Sequence, residues 1–258
     1  MKKQLLLLAL PVAVSLAACQ SNPSNQPAHI AQVNSPAPNT LSEAEKEEGW
    51  KLLFDGKSID QWRSYGQQSL PAQGWVVKDG ALVIEKTPTQ KPEGFWGDII
   101  TKEQFGNFEL SLEFMTTDTA NSGIFYLVVE QPGVPIWQNA PEFQILDNPT
   151  YEKMEGAAKM NTHRTGDNYD LQAAPADYSK PNGEWNTARI LLKDGHVEHW
   201  LNGNKTCEYQ IASPEWEALI KKSKFKDYPG YGRSKTGHLG LQDHQHEVRF
   251  RNIKIRNL

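Results

Sequence analysis

The segment Glu142-Phe143-Gln144-Ile145-Leu146 alternates polar and apolar side chains. In an extended strand this spacing puts Glu142 and Gln144 on one face and Phe143 and Ile145 on the other. The apolar pair would enter a core and the polar pair an open cleft. A carboxyl beside a neutral amide suits proton transfer by a single acid–base group. Asp147, at an odd spacing from Glu142, is expected to face away unless a bulge intervenes.

The histidines supply a second set of candidates. His163 lies in Asn161-Thr162-His163-Arg164, inside a long connection from Asn148 to Trp185 that also carries Asp167, Tyr169 and Asp170. Long connections within a compact domain are frequent carriers of function. Gln242 and His244 share one strand face, with Asp243 pointing the other way. Asp243-His244-Gln245-His246 has the residue types of a metal motif, although an i, i+2 histidine pair on a strand specifies no particular ion. His196 and Glu198 share another face, with His199 opposite. Glu142 and His163 are the candidate acid–base residues, and Gln242 and His244 are candidates for holding a ligand or a metal. Were a divalent metal involved, His163, His244 and Glu142 are the candidate ligands. Asn121-Ser122-Gly123 turns the chain into a strand from Ile124 to Val129, from which Asn121 or Tyr126 can reach a cleft, and Asp98 follows Trp96 as a further polar candidate. Trp96, Trp137 and Trp200 can act as stacking platforms or as core. Cys207, alone in a strand, is expected to be a small packing residue.

The elements that must position these groups have mostly strand period. Phe108, Leu110, Leu112 and Phe114 alternate with Glu109, Ser111 and Glu113. Asp79-Gly80, Asp194-Gly195 and Asn202-Gly203 each separate two strand-like runs, the signature of tight hairpins. Val248 to Leu258 alternates again and predicts a long closing strand. Two helices are expected: a short acidic one with a Ser42/Glu45 capping box and Gly49 beyond its end, and one starting at Ser213-Pro214 with Trp216, Leu219 and Ile220 on one face. About a dozen short strands with turn signals predict an all-β domain, a two-sheet sandwich or jelly roll.

The chain has 258 residues, 38% hydrophobic and 22% charged, with a net charge of -4. It is too apolar for a disordered protein and too mildly charged, with scattered basic residues, for one built to bind nucleic acid. The N-terminus addresses it. Lys2-Lys3 precede an apolar run from Leu5 to Leu16, too short to span a bilayer. Leu16-Ala17-Ala18-Cys19 resembles the bacterial lipobox, which implies removal of residues 1–18 and lipid on Cys19. Gln20 after it implies the outer membrane of a Gram-negative envelope. Residues 19–40, rich in Pro and Asn, read as a tether, and residues 41–258 as the folded domain.

Several segments of that domain, taken in order, carry a wider resemblance. They are Trp50-Lys51-Leu52-Leu53-Phe54-Asp55-Gly56-Lys57-Ser58, Gly97-Asp98-Ile99-Ile100-Thr101, Asn121-Ser122-Gly123-Ile124 and Glu142-Phe143-Gln144-Ile145-Leu146-Asp147-Asn148, followed by Gly183-Glu184-Trp185-Asn186, Glu198-His199-Trp200-Leu201-Asn202-Gly203 and Gly240-Leu241-Gln242-Asp243-His244 leading to Phe250-Arg251-Asn252-Ile253. From about Gly49 to Leu258 the chain resembles the 3-keto-disaccharide hydrolase family. The resemblance implies a concanavalin A-like jelly roll whose curved sheet forms a sugar cleft, and action on glycosides whose ring carbon 3 is already a ketone. The ketone acidifies the C2 hydrogen, so a base can remove it, the C1 substituent leaves by elimination, and water adds back. Such a site needs a base near C2, an acid near the leaving oxygen and an electrophile, either a divalent metal or hydrogen-bond donors, at the enolate oxygen.

The resemblance strengthens Gln242 and His244 as sugar-binding residues and makes Asp98 a contact for sugar hydroxyls. A separate sugar 3-oxidoreductase is implied, because no glycine-rich nucleotide fingerprint is present. Two other readings compete. One is a lectin-like module that retains oligosaccharides without turnover. The other is an endoglucanase-like hydrolase, which would need two carboxyls roughly 5 to 5.5 Å apart; Gln144 stands where the second would be expected.

Overall fold

A computed structural model describes residues 37–70, 74–85 and 97–258. Cys19, the apolar N-terminal run, most of the tether and Trp96 lie outside the described residues. The packed domain takes in Asn39, two residues ahead of Leu41: its amide donates to Gly80 O at 2.8 Å and its Oδ1 accepts from the Asn252 N–H at 2.8 Å.

The first described element is α1 (Glu43–Glu47), where Ser42 and Glu45 form the expected capping box. The strands then follow as β1 (Lys51–Leu52), β2 (Trp62–Ser64), β3 (Trp75–Lys78), β4 (Ala81–Ile84), β5 (Ile99–Phe105), β6 (Phe108–Thr116), β7 (Asn121–Val128) and β8 (Glu142–Leu146). After α2 (Asn148–Glu155) come β9 (Trp185–Lys193), β10 (His196–Leu201), β11 (Asn204–Gln210), α3 (Pro214–Lys222), β12 (Gly237–Leu241) and β13 (Val248–Asn257). They form two antiparallel sheets. The larger runs β11-β10-β9-β6-β13-β4-β3, with β1 paired to β13, and the smaller runs β2-β5-β12-β7-β8. This is the expected all-β sandwich.

Local chemistry accounts for the hairpins. Asp79 and Gly80, Asp194 and Gly195, and Asn202 and Gly203 all have positive φ, as two-residue turns matching the strand twist require. Ser213 caps α3 through the Trp216 N–H at 3.1 Å. The predicted closing strand is β13, but it lies between β6 and β4 rather than at an edge.

Burial follows the alternation. Phe108, Leu110, Leu112 and Phe114 of β6 enter the space between the sheets, as do Phe143 and Ile145 of β8. The opposite face of the smaller sheet is partly covered by the connection between β7 and β8. There Ile136 and Ala140 pack on Ile100, Phe125 and Val128 in a second, smaller core. Gly240 permits this approach, since a Cβ there would lie 2.7 Å from Ile136 Cδ1. The rest of that face remains polar and open.

The Asn148–Trp185 segment is not wholly loop. Asp147 caps α2, accepting from the Thr150 N–H at 3.4 Å, and the chain returns along β8 through a Phe143–Asn168 bridge. The hydrogen bonds that Asp147 accepts outweigh its burial and hold its carboxyl below the usual range, and it lies away from the open face.

Candidate active site on the smaller sheet

Glu142 and Gln144 project from β8 onto the open face of the smaller sheet and line a pocket of about 150 Å³. Asp98, just before β5, and Asn121, the first residue of β7, line it with them, as do Gln242 and His244 after β12. Six expected residues from four separate segments thus line one pocket. Asp243 also lines the pocket. Its predicted outward orientation fails because β12 ends at Leu241, after which strand alternation no longer applies. The Asp243 N–H donates to Asp98 Oδ1 at 2.9 Å, which ties the two acidic loops together. Gln242 is fixed to β7 by its backbone: its N–H donates to Gly123 O at 3.0 Å and its carbonyl accepts from Ser122 Oγ at 2.7 Å.

Glu142 is only 3% exposed. Burial pushes its carboxyl up to about 8; the Lys224 charge opposes this and the Asp98 charge reinforces it. The Gln144 amide nitrogen, turned toward its acceptors, donates to Glu142 Oε1 at 3.0 Å and to Ser122 O at 3.1 Å. Gln144 therefore orients the carboxyl without adding charge. Gly123 lies across from Gln144 in the β7–β8 pair, and a Cβ on it would sit 2.1 Å from Glu142 Oε1. The carboxyl occupies the space that this glycine leaves.

Two further residues of the pocket, Tyr169 and Lys224, carry no acid–base or binding assignment from the sequence. Both line it beside Trp137, a platform candidate that the structure brings to the pocket. Lys224 Nζ lies 3.1 Å from Tyr169 Oη, 4.1 Å from the Tyr169 ring centroid and 4.8 Å from that of Trp137. Burial pushes the Tyr169 hydroxyl well above its usual range, with the Glu142 and Asp170 charges adding to the effect. Lys224 follows α3 by two residues, and nothing in its local pattern separates it from the neighbouring lysines.

Two expectations are corrected. Tyr126 does not reach the cleft. It is fully buried between the sheets, with Oη 2.9 Å from His199 Nε2 and hydrogen-bonded to Tyr209, because its position on β7 directs it to the core face. His163 does not line the pocket either. It stacks on Tyr169 with ring centroids 4.7 Å apart, and its Nε2 is 3.2 Å from Asp170 Oδ1. Asp170 Oδ2 accepts the Lys224 backbone N–H at 2.9 Å. His163 is thus a support behind the pocket wall. Replacing His163 by Ala is expected to lower kcat/KM less than about tenfold, whereas loss of a direct base costs about 10² or more; steady-state kinetics distinguish the two.

The candidate metal ligands do not form one ligand set: Glu142 and His244 line the pocket, and His163 lies outside it. Among the described residues, the one set of His, Cys, Asp and Glu side chains close enough to share an ion is His196, Glu198 and Glu208 on the larger sheet. Lys205 Nζ already lies 2.9 Å from Glu198 and 2.7 Å from Glu208 there. Trp200 belongs to this same region, donating to Glu198 at 2.8 Å, and is no platform for the cleft. His199, beneath, is buried and its pKa is pushed down to about 3 by that burial. Cys207 is a buried packing residue whose thiol burial pushes up to about 12.

Fold and pocket together define a β-sandwich with a carboxyl-lined polar pocket on the open face of one sheet. Residues 49–256 match the family described as the 3-keto-alpha-glucoside-1,2-lyase-like domain, and the chain belongs to this family. It is 33% identical over 231 residues to a 3-keto-disaccharide hydrolase of Bacteroides thetaiotaomicron, covering 82% of this chain and 79% of that protein. Among solved structures, a protein of Parabacteroides distasonis provisionally described as a glycosyl hydrolase superposes with a TM-score of 0.78 at 35% identity, covering 86% of this chain and 100% of the other. A second P. distasonis protein with the same description gives 0.62 at 27% identity, over 81% of this chain and 99% of the other.

Proposed function

We propose that the protein cleaves the glycosidic bond of glycosides already oxidised to a ketone at C3. Glu142 removes the C2 proton, the C1–O bond breaks by elimination, and water adds across the resulting C1=C2 bond. The observation that carries this reading is Glu142: a buried carboxyl with an amide at the neighbouring same-face position, in a chain related to a 3-keto-disaccharide hydrolase. A base with its pKa near 8 is well matched to a carbon acid activated by a ketone. The pocket of about 150 Å³ has room for one sugar ring. A larger cavity of about 600 Å³ shares Asp98 with it and is lined by Tyr65, Gln67, Gln68 and Gln131, polar groups suited to the leaving sugar, together with Glu130, which is paired to Arg63.

A second reading, direct hydrolysis of an unoxidised glycan, is favoured by Asp98 and Asp243, which bring further carboxyls into the same pocket from outside β8. The discriminating experiment incubates the protein with a 3-keto-glucoside and with its parent glucoside, each with and without chelator, and follows aglycone release. The keto compound alone should be cleaved. Cleavage of the parent would establish the second reading, and binding of both without cleavage would make the protein a lectin. Loss of turnover with chelator would bring a metal into the site.

The elimination reading requires a sugar 3-oxidoreductase upstream; separately, we propose that lipid on Cys19 holds the protein at the outer membrane of a Gram-negative envelope. The anchor rests on the lipobox-like residues Leu16 to Cys19. Cys19→Ser should release the protein from membranes; membrane retention of that variant would count against the anchor.

A further inference from the structure

Removing the C2 proton sends an electron pair toward the C3 oxygen. In the pocket, Asp98 and Asp243 would repel that charge, Asn121, Gln144 and Gln242 are neutral amides, and Tyr169 and His244 complete the polar lining. Among the described residues that line it, Lys224 is the one Lys or Arg. Although Lys224 as a whole is exposed, its amine is not loose: Nζ lies against Tyr169, Trp137 and Phe225, at 4.1, 4.8 and 5.4 Å from their ring centroids. Its backbone is pinned to Asp170, which His163 holds from behind. Placing an ammonium over aromatic faces stabilises the cation while leaving its remaining N–H bonds for a ligand. Burial pulls the Lys224 pKa down, and the Glu142 and Asp170 charges pull it back up.

We propose that Lys224 is a catalytic residue of this site, its ammonium binding the C3 carbonyl oxygen of the keto-sugar and stabilising the enolate formed when Glu142 takes the C2 proton. The inference rests on the elimination reading above. The C2–H pair becomes the C2=C3 bond, and the carbonyl π pair moves onto O3 beside Lys224 Nζ. The pair on O3 then re-forms the carbonyl, the C2=C3 pair shifts to C1=C2, and the C1–O bond breaks with its pair on the leaving oxygen, which water protonates. The hydroxide so formed adds to C1, and Glu142 returns its proton to C2. The protein ends unchanged, one water is consumed, and no oxidant or metal enters. Tyr169, 3.1 Å from Nζ, and the His163–Asp170 pair act as positioning residues.

The test isolates enolisation from bond cleavage. The intact protein is incubated in deuterated water with 3-keto-1,5-anhydroglucitol, which has no leaving alcohol at C1, and C2 hydrogen exchange is followed by NMR. Aglycone release from a 3-keto-glucoside is measured in parallel. Lys224→Gln should slow both by about 10²-fold, the loss expected for one removed donor to a developing oxyanion, with an unchanged melting curve. Methylammonium should restore several-fold activity to Lys224→Ala. A Lys224→Gln variant within threefold of wild type in exchange would overturn the proposal. So would borohydride fixing the keto-sugar covalently to Lys224, because that outcome assigns an iminium to the lysine instead. If the wild-type protein neither exchanges nor cleaves, the elimination reading itself fails and the role of Lys224 falls with it.

Discussion

Glu142→Gln is expected to lower turnover of a 3-keto-glucoside by 10²-fold or more and, at neutral pH, to make the protein more stable. The kinetic half follows from the loss of a general base, worth typically about 10² to 10⁴ in rate. The isosteric amide keeps the pocket filled, so substrate binding should change little and the loss should appear in kcat. Steady-state kinetics on the keto compound measure it. A rate within about threefold of wild type would remove Glu142 from the chemistry.

The stability half follows from linkage. Burial raises the Glu142 pKa from 4.5 to about 8, so between those values the native state holds a proton that the unfolded chain has released. Stability therefore falls as pH rises through this window and levels off above about 8. Glu142→Gln removes the penalty. Its advantage over wild type should be absent below pH 4.5, grow toward pH 8 and then stay constant, reaching on the order of 2 kcal/mol after relaxation of the site. With Glu142 as the base, the same proton shapes the wild-type pH–rate profile: kcat/KM should rise with pH, reach half its maximum near pH 8 and level off above it, because the carboxylate is the active form. Denaturant melts and rate profiles over that range test both signs. A buried acid that costs stability in return for activity would be the trade expected of a functional site.

Much of this site was legible in the sequence because strand alternation is a strong rule inside a strand. It placed Glu142 and Gln144 together, sent Phe143 and Ile145 into the core, and marked the hairpins by their Asp-Gly and Asn-Gly pairs. The same rule misled where the strand had ended, at Asp243, and could not choose between Asn121 and Tyr126, of which only the first lines the pocket. Lys224 and Tyr169 were not assigned as pocket groups because their placement is tertiary. A segment of more than thirty residues, anchored by α2 and the Phe143–Asn168 bridge, carries Tyr169 back across β8. The chain after α3 then brings the lysine to meet it. No local period encodes either approach. His163 had the right chemistry and lies one layer too far out.

Gly123→Ala is the second expected large effect, and it separates position from chemistry. No left-handed conformation requires glycine at 123; the constraint is space. A Cβ there would lie 2.1 Å from Glu142 Oε1, 2.7 Å from its Cδ and 2.8 Å from its Cγ. All three contacts are with the far end of one side chain rather than with backbone. The strand can therefore keep its pairing with β8, and the hydrogen bond from the Gln242 N–H to Gly123 O involves no atom that the substitution adds. What must move is the carboxyl. It loses the Gln144 hydrogen bond and turns toward Asp98 or toward solvent, so it no longer sits where a C2 hydrogen would be. A displacement of about 1 Å at a reacting group costs on the order of 10²-fold in rate. The melting temperature should fall by only a few degrees, since no core contact is removed and a buried, costly carboxyl gains freedom to hydrate. Kinetics and thermal melts on Gly123→Ala alone, and on the pair with Glu142→Gln, resolve the mechanism. If the alanine acts through Glu142, it should add almost nothing to the rate loss of Glu142→Gln, whereas independent losses that multiply would mean that Gly123 serves the sheet and not the carboxyl.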